Sequence, residues 1–128
     1  MVATGPDAAS VAKAMDWVRF RVAFYGSTRT YMPILELHGL QDLGLKLHDL
    51  SVQGRWKEMA ALVSDDVVRI FAACGTYDEI VPAIETRFGG VADAIELNFP
   101  AGTQPGLMRE LVAGIRRIPH IFQGFATA

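Results

Sequence analysis

The chain has 128 residues, enough for one domain around a single core but too few for two. Hydrophobic residues make up 51% of it, which excludes an intrinsically disordered protein. With 12 basic and 14 acidic residues the net charge is −2, so its charge favours neither nucleic acid nor an anionic membrane as a partner.

The location of the protein in the cell is predicted from its cysteine content, its first ten residues and the length of its apolar runs. The one cysteine, Cys74, cannot form an internal disulfide, and we expect a buried structural thiol in a reducing compartment. The first ten residues lack the basic and apolar regions of a signal peptide. No apolar run approaches the roughly 20 residues that span a bilayer. We therefore expect a cytoplasmic protein that does not enter membranes.

The first predicted helix begins after Gly5-Pro6-Asp7, because proline is tolerated at a helix start and aspartate can cap it. One apolar stripe then recurs at helical spacing, formed by Val11, Met15, Val18, Val22 and Tyr25. Three aromatic residues widen this stripe: Trp17, Phe20 and Phe24. We expect this helix to be covered on more than one side.

Further short helices follow as far as Ala73, with no strand signal between them. Thr76 and Glu79 have the spacing of a capping box, which predicts a helix start at Thr76. Gly89-Gly90 would end that helix, and Pro82, well inside it, should kink it.

The segment 94–99 is predicted to be a strand, because three apolar residues alternate with polar ones there: Ile95, Leu97 and Phe99. After a loop rich in glycine and proline, Pro105 can begin a last helix. The sequence thus predicts several helices and one confident strand, an incomplete set for an α/β domain.

No self-contained catalytic motif is present. The three histidines, His38, His48 and His120, lack the spacing of metal ligands, so we expect no metal site. Four side chains suited to binding fall within fourteen residues around a glycine break: Tyr25, Arg29, Tyr31 and His38. They are candidates for contact with a substrate or cofactor. The alternative is that the tyrosines are half-buried packing residues and that His38 is a polar helix end.

Several segments follow one another in an order and spacing that resemble a known family. They are Arg21–Thr28, Tyr31 with Leu35–Gly39, Gln53–Trp56 with Glu58–Met59, Phe71–Thr76 and Gly90–Leu97. Together they resemble the C-terminal part of the luciferase-like oxidoreductases, the flavin- and coenzyme F-420-dependent family of bacterial luciferase. The resemblance covers residues 2–100.

That family has a TIM-type (β/α)8 barrel fold. The resemblance therefore implies the C-terminal quarter of such a barrel, α/β by ancestry but mostly α-helical in this chain, with one or two strands. As a single partial domain it would comprise the end of strand seven (2–5), a helical insertion with the seventh helix (7–88), strand eight (94–99) and the last helix (105–118). Thr4 and Gly5 would then lie at a strand end, where a backbone N–H can bind phosphate.

Two functions remain open at this point. The resemblance implies a fragment or subunit of an oxidoreductase that transfers hydride or acts as a monooxygenase with coenzyme F-420 or FMN, and that is inactive alone. The alternative is a non-catalytic helical protein of interaction or oligomerisation that needs no cofactor. In both cases we expect the partner to be a second copy or a chain that supplies the missing strands.

Overall fold

A computed structural model describes residues 1–97, 99 and 102–121. Helices take up 63% of the described residues. The elements in chain order are β1 (Val2–Gly5), α1 (Ala8–Gly26), α2 (Met32–Leu37), α3 (Gln41–Val52), α4 (Trp56–Met59), α5 (Asp65–Phe71), β2 (Ala73–Thr76), α6 (Ile80–Phe88) and α7 (Pro105–Ile115). Short 3-10 turns lie at Arg29–Tyr31 and Ala60–Leu62.

The two strands pair in parallel and form the centre of the molecule. Their register runs from Val2 opposite Ala73 to Gly5 opposite Thr76. Because alternate residues of a strand face opposite sides, Ala3 contacts one apolar cluster and Val2 contacts another. The sheet therefore separates two cores.

The first core joins α1 to the chain segment that follows it. The predicted stripe of α1 is buried at Val11, Met15, Val18 and Val22. Leu47 of α3 and Val68 of α5 pack against these residues and are fully buried. Asp7 caps α1 as predicted, accepting a hydrogen bond from the Ser10 N–H at 2.7 Å.

The second core lies on the other face of the sheet and joins α6 to α7. Ile80 and Ile84 of α6 are buried against Leu111 of α7 and Ala73 of β2. No helix in the described part of the chain is both long and apolar enough to cross a bilayer.

The predicted fold class, a quarter of a TIM barrel, is wrong. The described residues form a mostly helical protein around a parallel sheet of two strands, and the second strand is Ala73–Thr76. The predicted strand 94–99 does not form over its described residues, and Asn98 lies outside them. Ile95 and Phe99 instead pack into the second core from an irregular segment. Their alternation therefore reflected burial, while the small residues of β2 gave no strand signal.

The capping-box helix begins later than predicted. The Glu79 carboxylate accepts hydrogen bonds from the N–H and the hydroxyl of Thr76, at 2.9 and 3.0 Å. These bonds close a turn, and α6 begins only at Ile80. Pro82 consequently lies in the first helical turn, where no backbone N–H needs an intrahelical partner. The prediction that it kinks the helix is wrong for this reason.

Candidate functional site

The six predicted site residues do not form one site. Tyr25 and Tyr31 line a pocket together with Met1, which immediately precedes β1, and Phe71, which lies two residues before β2. Thr4 lies near the opposite, carboxyl end of β1, and Gly5 is its last residue. Ligands of α/β proteins usually bind beyond the carboxyl ends of the strands. The pocket lined by Tyr25 and Tyr31 lies instead at the amino ends of the strands.

We call this first cavity the aromatic pocket. Its volume is about 400 Å³, and it is lined by Met1, Arg21, Val22, Tyr25, Gly26, Tyr31, Ile34, Leu35 and Phe71. The rings of Tyr25 and Tyr31 lie 5.5 Å apart between centroids and are tilted by 53°. Cavities of this size and character suit small organic ligands.

Two further aromatic contacts extend from the pocket across the surface. The ring of Phe24 lies 5.7 Å from that of Tyr25 and 6.0 Å from that of Trp56. We call Phe24, Tyr25, Tyr31 and Trp56 the aromatic patch. Each of the four side chains is exposed. The expectation that α1 is covered on more than one side is therefore wrong for this chain, because Trp17, Phe20 and Phe24 also remain exposed.

Arg21 is a site residue that the sequence reasoning missed. Its guanidinium lies 4.8 Å from the centre of the Trp17 ring and 5.4 Å from that of Tyr25. Nη2 donates a hydrogen bond of 3.0 Å to the Tyr25 hydroxyl. The signal was the spacing, since residues four apart on a helix are neighbours and both rings lie four residues from Arg21.

Arg29 points away from the aromatic pocket toward α3. Its Nε lies 3.3 Å from Nε2 of His48, whose Nδ1 lies 3.0 Å from the Ser27 carbonyl oxygen. In the tautomer that satisfies both contacts, Nδ1–H donates to Ser27 and Nε2 accepts from Arg29. These bonds join the end of α1 to α3, so Arg29 has a structural role here.

His38 lies behind the aromatic pocket. It follows the last residue of α2, and its exposed ring meets that of Phe71 edge-on, with centroids 5.5 Å apart. Phe71 lines the pocket while His38 does not. His38 could affect a ligand only through the position of Phe71.

Thr4 and Gly5 lie where the chain turns from β1 into α1. The Gly5 carbonyl oxygen accepts a hydrogen bond from the Tyr77 N–H at 3.0 Å. The carboxylate of Asp7 already binds the nearby N-terminus of α1, and the Ser10 N–H keeps the pKa of Asp7 below its usual value. A phosphate would be repelled by this charge, which disfavours the predicted role of Thr4 and Gly5.

Other reactive groups are dispersed. No group of three histidine, cysteine or acidic residues in the described part of the chain could hold a metal ion. Cys74 is half-buried in β2, and burial raises the pKa of its thiol. A thiol of this kind is mostly protonated at neutral pH and is therefore a weak nucleophile.

Comparison with known proteins finds relatives without an assigned activity. The chain is 43% identical over 104 residues to an uncharacterized protein of Mycobacterium bovis, and equally to uncharacterized proteins of two Mycobacterium tuberculosis strains. The match covers 81% of this chain but 31% of each relative, so the chain spans about a third of their length. No family model matches the sequence. No solved structure matches it either.

Proposed function

We propose that this chain is one part of a larger luciferase-like oxidoreductase and that it is inactive alone. The larger protein would transfer hydride or act as a monooxygenase with coenzyme F-420 or FMN, in the cytoplasm. The resemblance over residues 2–100 supports the class of enzyme. The relatives support the larger size, because the matching region is 31% of their length.

The aromatic patch is the observation that carries this proposal. Its four rings are in sequential contact yet exposed to solvent. Each aromatic side chain can bury about 150–250 Å², and contiguous exposed apolar surface usually marks an interface. The patch therefore favours contact with further polypeptide, which would also supply the groups that perform the chemistry.

Tyr25 and Tyr31 are the residues of this chain that we expect to contact the cofactor. Both line the aromatic pocket, where flat side chains suit a flat ring system. Arg21 borders the same pocket and would supply a positive charge near the ring. The hydride chemistry itself would belong to the cofactor, and the protein would position it.

The same patch also favours a second candidate, a non-catalytic protein of interaction or oligomerisation. In that case the patch would be covered by a second copy of the chain. No cofactor would then be needed, and the aromatic pocket would be closed by the partner's side chains.

Cofactor titration and a mass measurement separate these candidates. A chimera would carry this chain in place of the matching segment of the Mycobacterium tuberculosis relative. We expect the chimera to bind coenzyme F-420 or FMN in calorimetry, and the isolated chain to bind neither. Tyr31→Leu should weaken binding to the chimera, whereas the control Leu37→Ala, on an exposed side chain outside the pocket, should not.

Two outcomes would contradict the oxidoreductase proposal. One is a folded chimera that binds neither cofactor. The other is an isolated chain that forms a stable dimer in light scattering and whose dimer hides the aromatic patch. The second outcome would establish the interaction protein instead.

A further inference from the structure

β1 has an open edge on the side away from β2. The Gly5 carbonyl oxygen accepts a hydrogen bond of 3.0 Å from the Tyr77 N–H, so the odd-numbered residues of β1 bond toward β2. Because the backbone groups of successive strand residues point to opposite sides, the N–H and carbonyl groups of Val2 and Thr4 point away from β2. No hydrogen bond joins the backbone of these two residues to any other residue in the described part of the chain. A row of donors and acceptors is therefore available along this edge.

The outer edge of β2 is treated differently at Thr76. The N–H of Thr76 donates a hydrogen bond of 2.9 Å to the Glu79 carboxylate. Proteins commonly protect a free edge with a charged side chain, a proline or a bulge, since an unprotected strand pairs readily with another one. β1 has none of these features: its sequence is Val-Ala-Thr-Gly, and valine and threonine both favour strands. The edge of β1 is thus suited to pairing.

A cavity of about 520 Å³ lies beside this edge. It is lined by Val2 and Thr4, by Trp17 of α1 from one face of the sheet and by Ile115 of α7 from the other face. A cavity that meets β1 and both helical layers lies at the edge of the sheet, where a next strand would run about 4.8 Å away. Val2, Thr4 and Ile115 are half-buried and Trp17 is 58% exposed, so an arriving chain can reach them.

We propose that the outer edge of β1 binds an extended apolar segment of further polypeptide, which becomes a third strand by pairing with the backbone of Val2 and Thr4. Its side chains are apolar because Trp17 lies toward one of its faces and Ile115 toward the other. The mycobacterial relatives favour this occupant, since the matching region is 31% of their length and the remainder is further polypeptide. The inference rests on the proposal that this chain is part of a larger protein, but not on the chemistry of that protein.

Hydrogen exchange of single backbone amides tests the open edge and its occupant. The Ala3 N–H points toward β2 and is the internal control. In the isolated chain the Thr4 N–H should exchange at least about tenfold faster than the Ala3 N–H. In the chimera with the Mycobacterium tuberculosis relative, the two amides should exchange at similar rates, because the third strand accepts the Thr4 hydrogen bond.

A proline at Thr4 tests the same hydrogen bond by melting temperature. Thr4→Pro removes the outward N–H and no bond to β2, and edge strands tolerate proline for this reason. Thr4→Val keeps the N–H and the shape of the side chain, so it is the matched control. The difference in Tm between these two variants should be about 2–4 °C larger in the chimera than in the isolated chain, as one lost backbone hydrogen bond predicts.

Three outcomes would overturn the proposal. The first is a Thr4 N–H that is as protected as the Ala3 N–H in the dilute isolated chain. The second is a folded chimera in which the Thr4 N–H still exchanges as fast as in the isolated chain. The third is protection of Thr4 that appears as the isolated chain is concentrated, which would identify a second copy as the occupant. A chimera that protects Thr4 but binds neither cofactor would contradict the oxidoreductase proposal alone.

Discussion

Gly5 shows at the scale of one residue how closely α1 approaches the end of β1. A Cβ built on Gly5 would lie 2.5 Å from Cβ of Ser10 and 3.1 Å from its carbonyl carbon. Neither atom is the end of a flexible side chain, so Gly5→Ala must displace α1 from the sheet. We expect this substitution to lower the free energy of unfolding by about 1–3 kcal/mol, measured by urea denaturation.

Gly106 provides the matched control for Gly5→Ala. It is the second residue of α7, and a Cβ built there meets nothing within 4 Å. Gly106→Ala should therefore leave stability unchanged or raise it by up to about 1 kcal/mol. Equal unfolding midpoints for the two variants would mean that the close approach at Gly5 does not limit stability.

Individual residues were predictable where the cause is local. Asp7 caps its helix as predicted, because a cap needs only neighbours two or three residues away. Of the four candidates Tyr25, Arg29, Tyr31 and His38, only the two tyrosines line the aromatic pocket. The contact of Arg29 with His48 was not predictable, because it depends on how α3 packs against the end of α1.

At the scale of one element, the cap of α1 should respond to pH. Hydrogen bonds from the Ser10 N–H and side chain hold the pKa of Asp7 below its usual value. A carboxyl group whose pKa is lower in the folded state than in the unfolded state stabilises the fold when the pH is above the unfolded-state pKa, which is about 4. This stabilisation is lost as the pH falls through the folded-state pKa. Asp7→Asn keeps a capping oxygen that does not titrate. The Tm of the wild type should therefore fall further than the Tm of Asp7→Asn between about pH 5 and pH 2. Curves of Tm against pH that run parallel for the two proteins would contradict this.

Two leucines of α3 test which face of this helix supports the first core. Leu47 is fully buried, and its Cδ1 lies near Gly26 of α1, whereas Leu45 is 56% exposed. Leu47→Ala should lower the free energy of unfolding by about 2–5 kcal/mol, because it leaves a cavity. Leu45→Ala is the control and should change it by less than about 0.5 kcal/mol. If urea denaturation showed similar losses of unfolding free energy for the two variants, α3 would have to pack through a different face.

The two wrong predictions about strands share one physical cause. The strand expected at 94–99 was inferred from alternation, and Ile95 and Phe99 do pack inward without forming a ladder. The strand Ala73–Thr76 was missed because its small residues carry no such pattern, and its pairing with Val2–Gly5 joins segments about 70 positions apart. A sequence pattern reports which residues are buried, while strand pairing depends on contacts that are distant in the chain.

For the whole molecule, the aromatic patch predicts association. Phe24 lies at its middle, in contact with Tyr25 and Trp56, and is 45% exposed. The four rings are exposed in the isolated chain, so we expect weak, reversible self-association, in which the mass in light scattering rises with concentration without reaching that of a stable dimer. Phe24→Gln should reduce this rise and change Tm little, since glutamine is a good helix former and the ring is half exposed. Val91→Gln changes an exposed apolar residue outside the patch, and this variant should associate as the wild type does. A wild type that stays monomeric, or a Phe24→Gln variant that associates equally, would mean that the patch is not an interface.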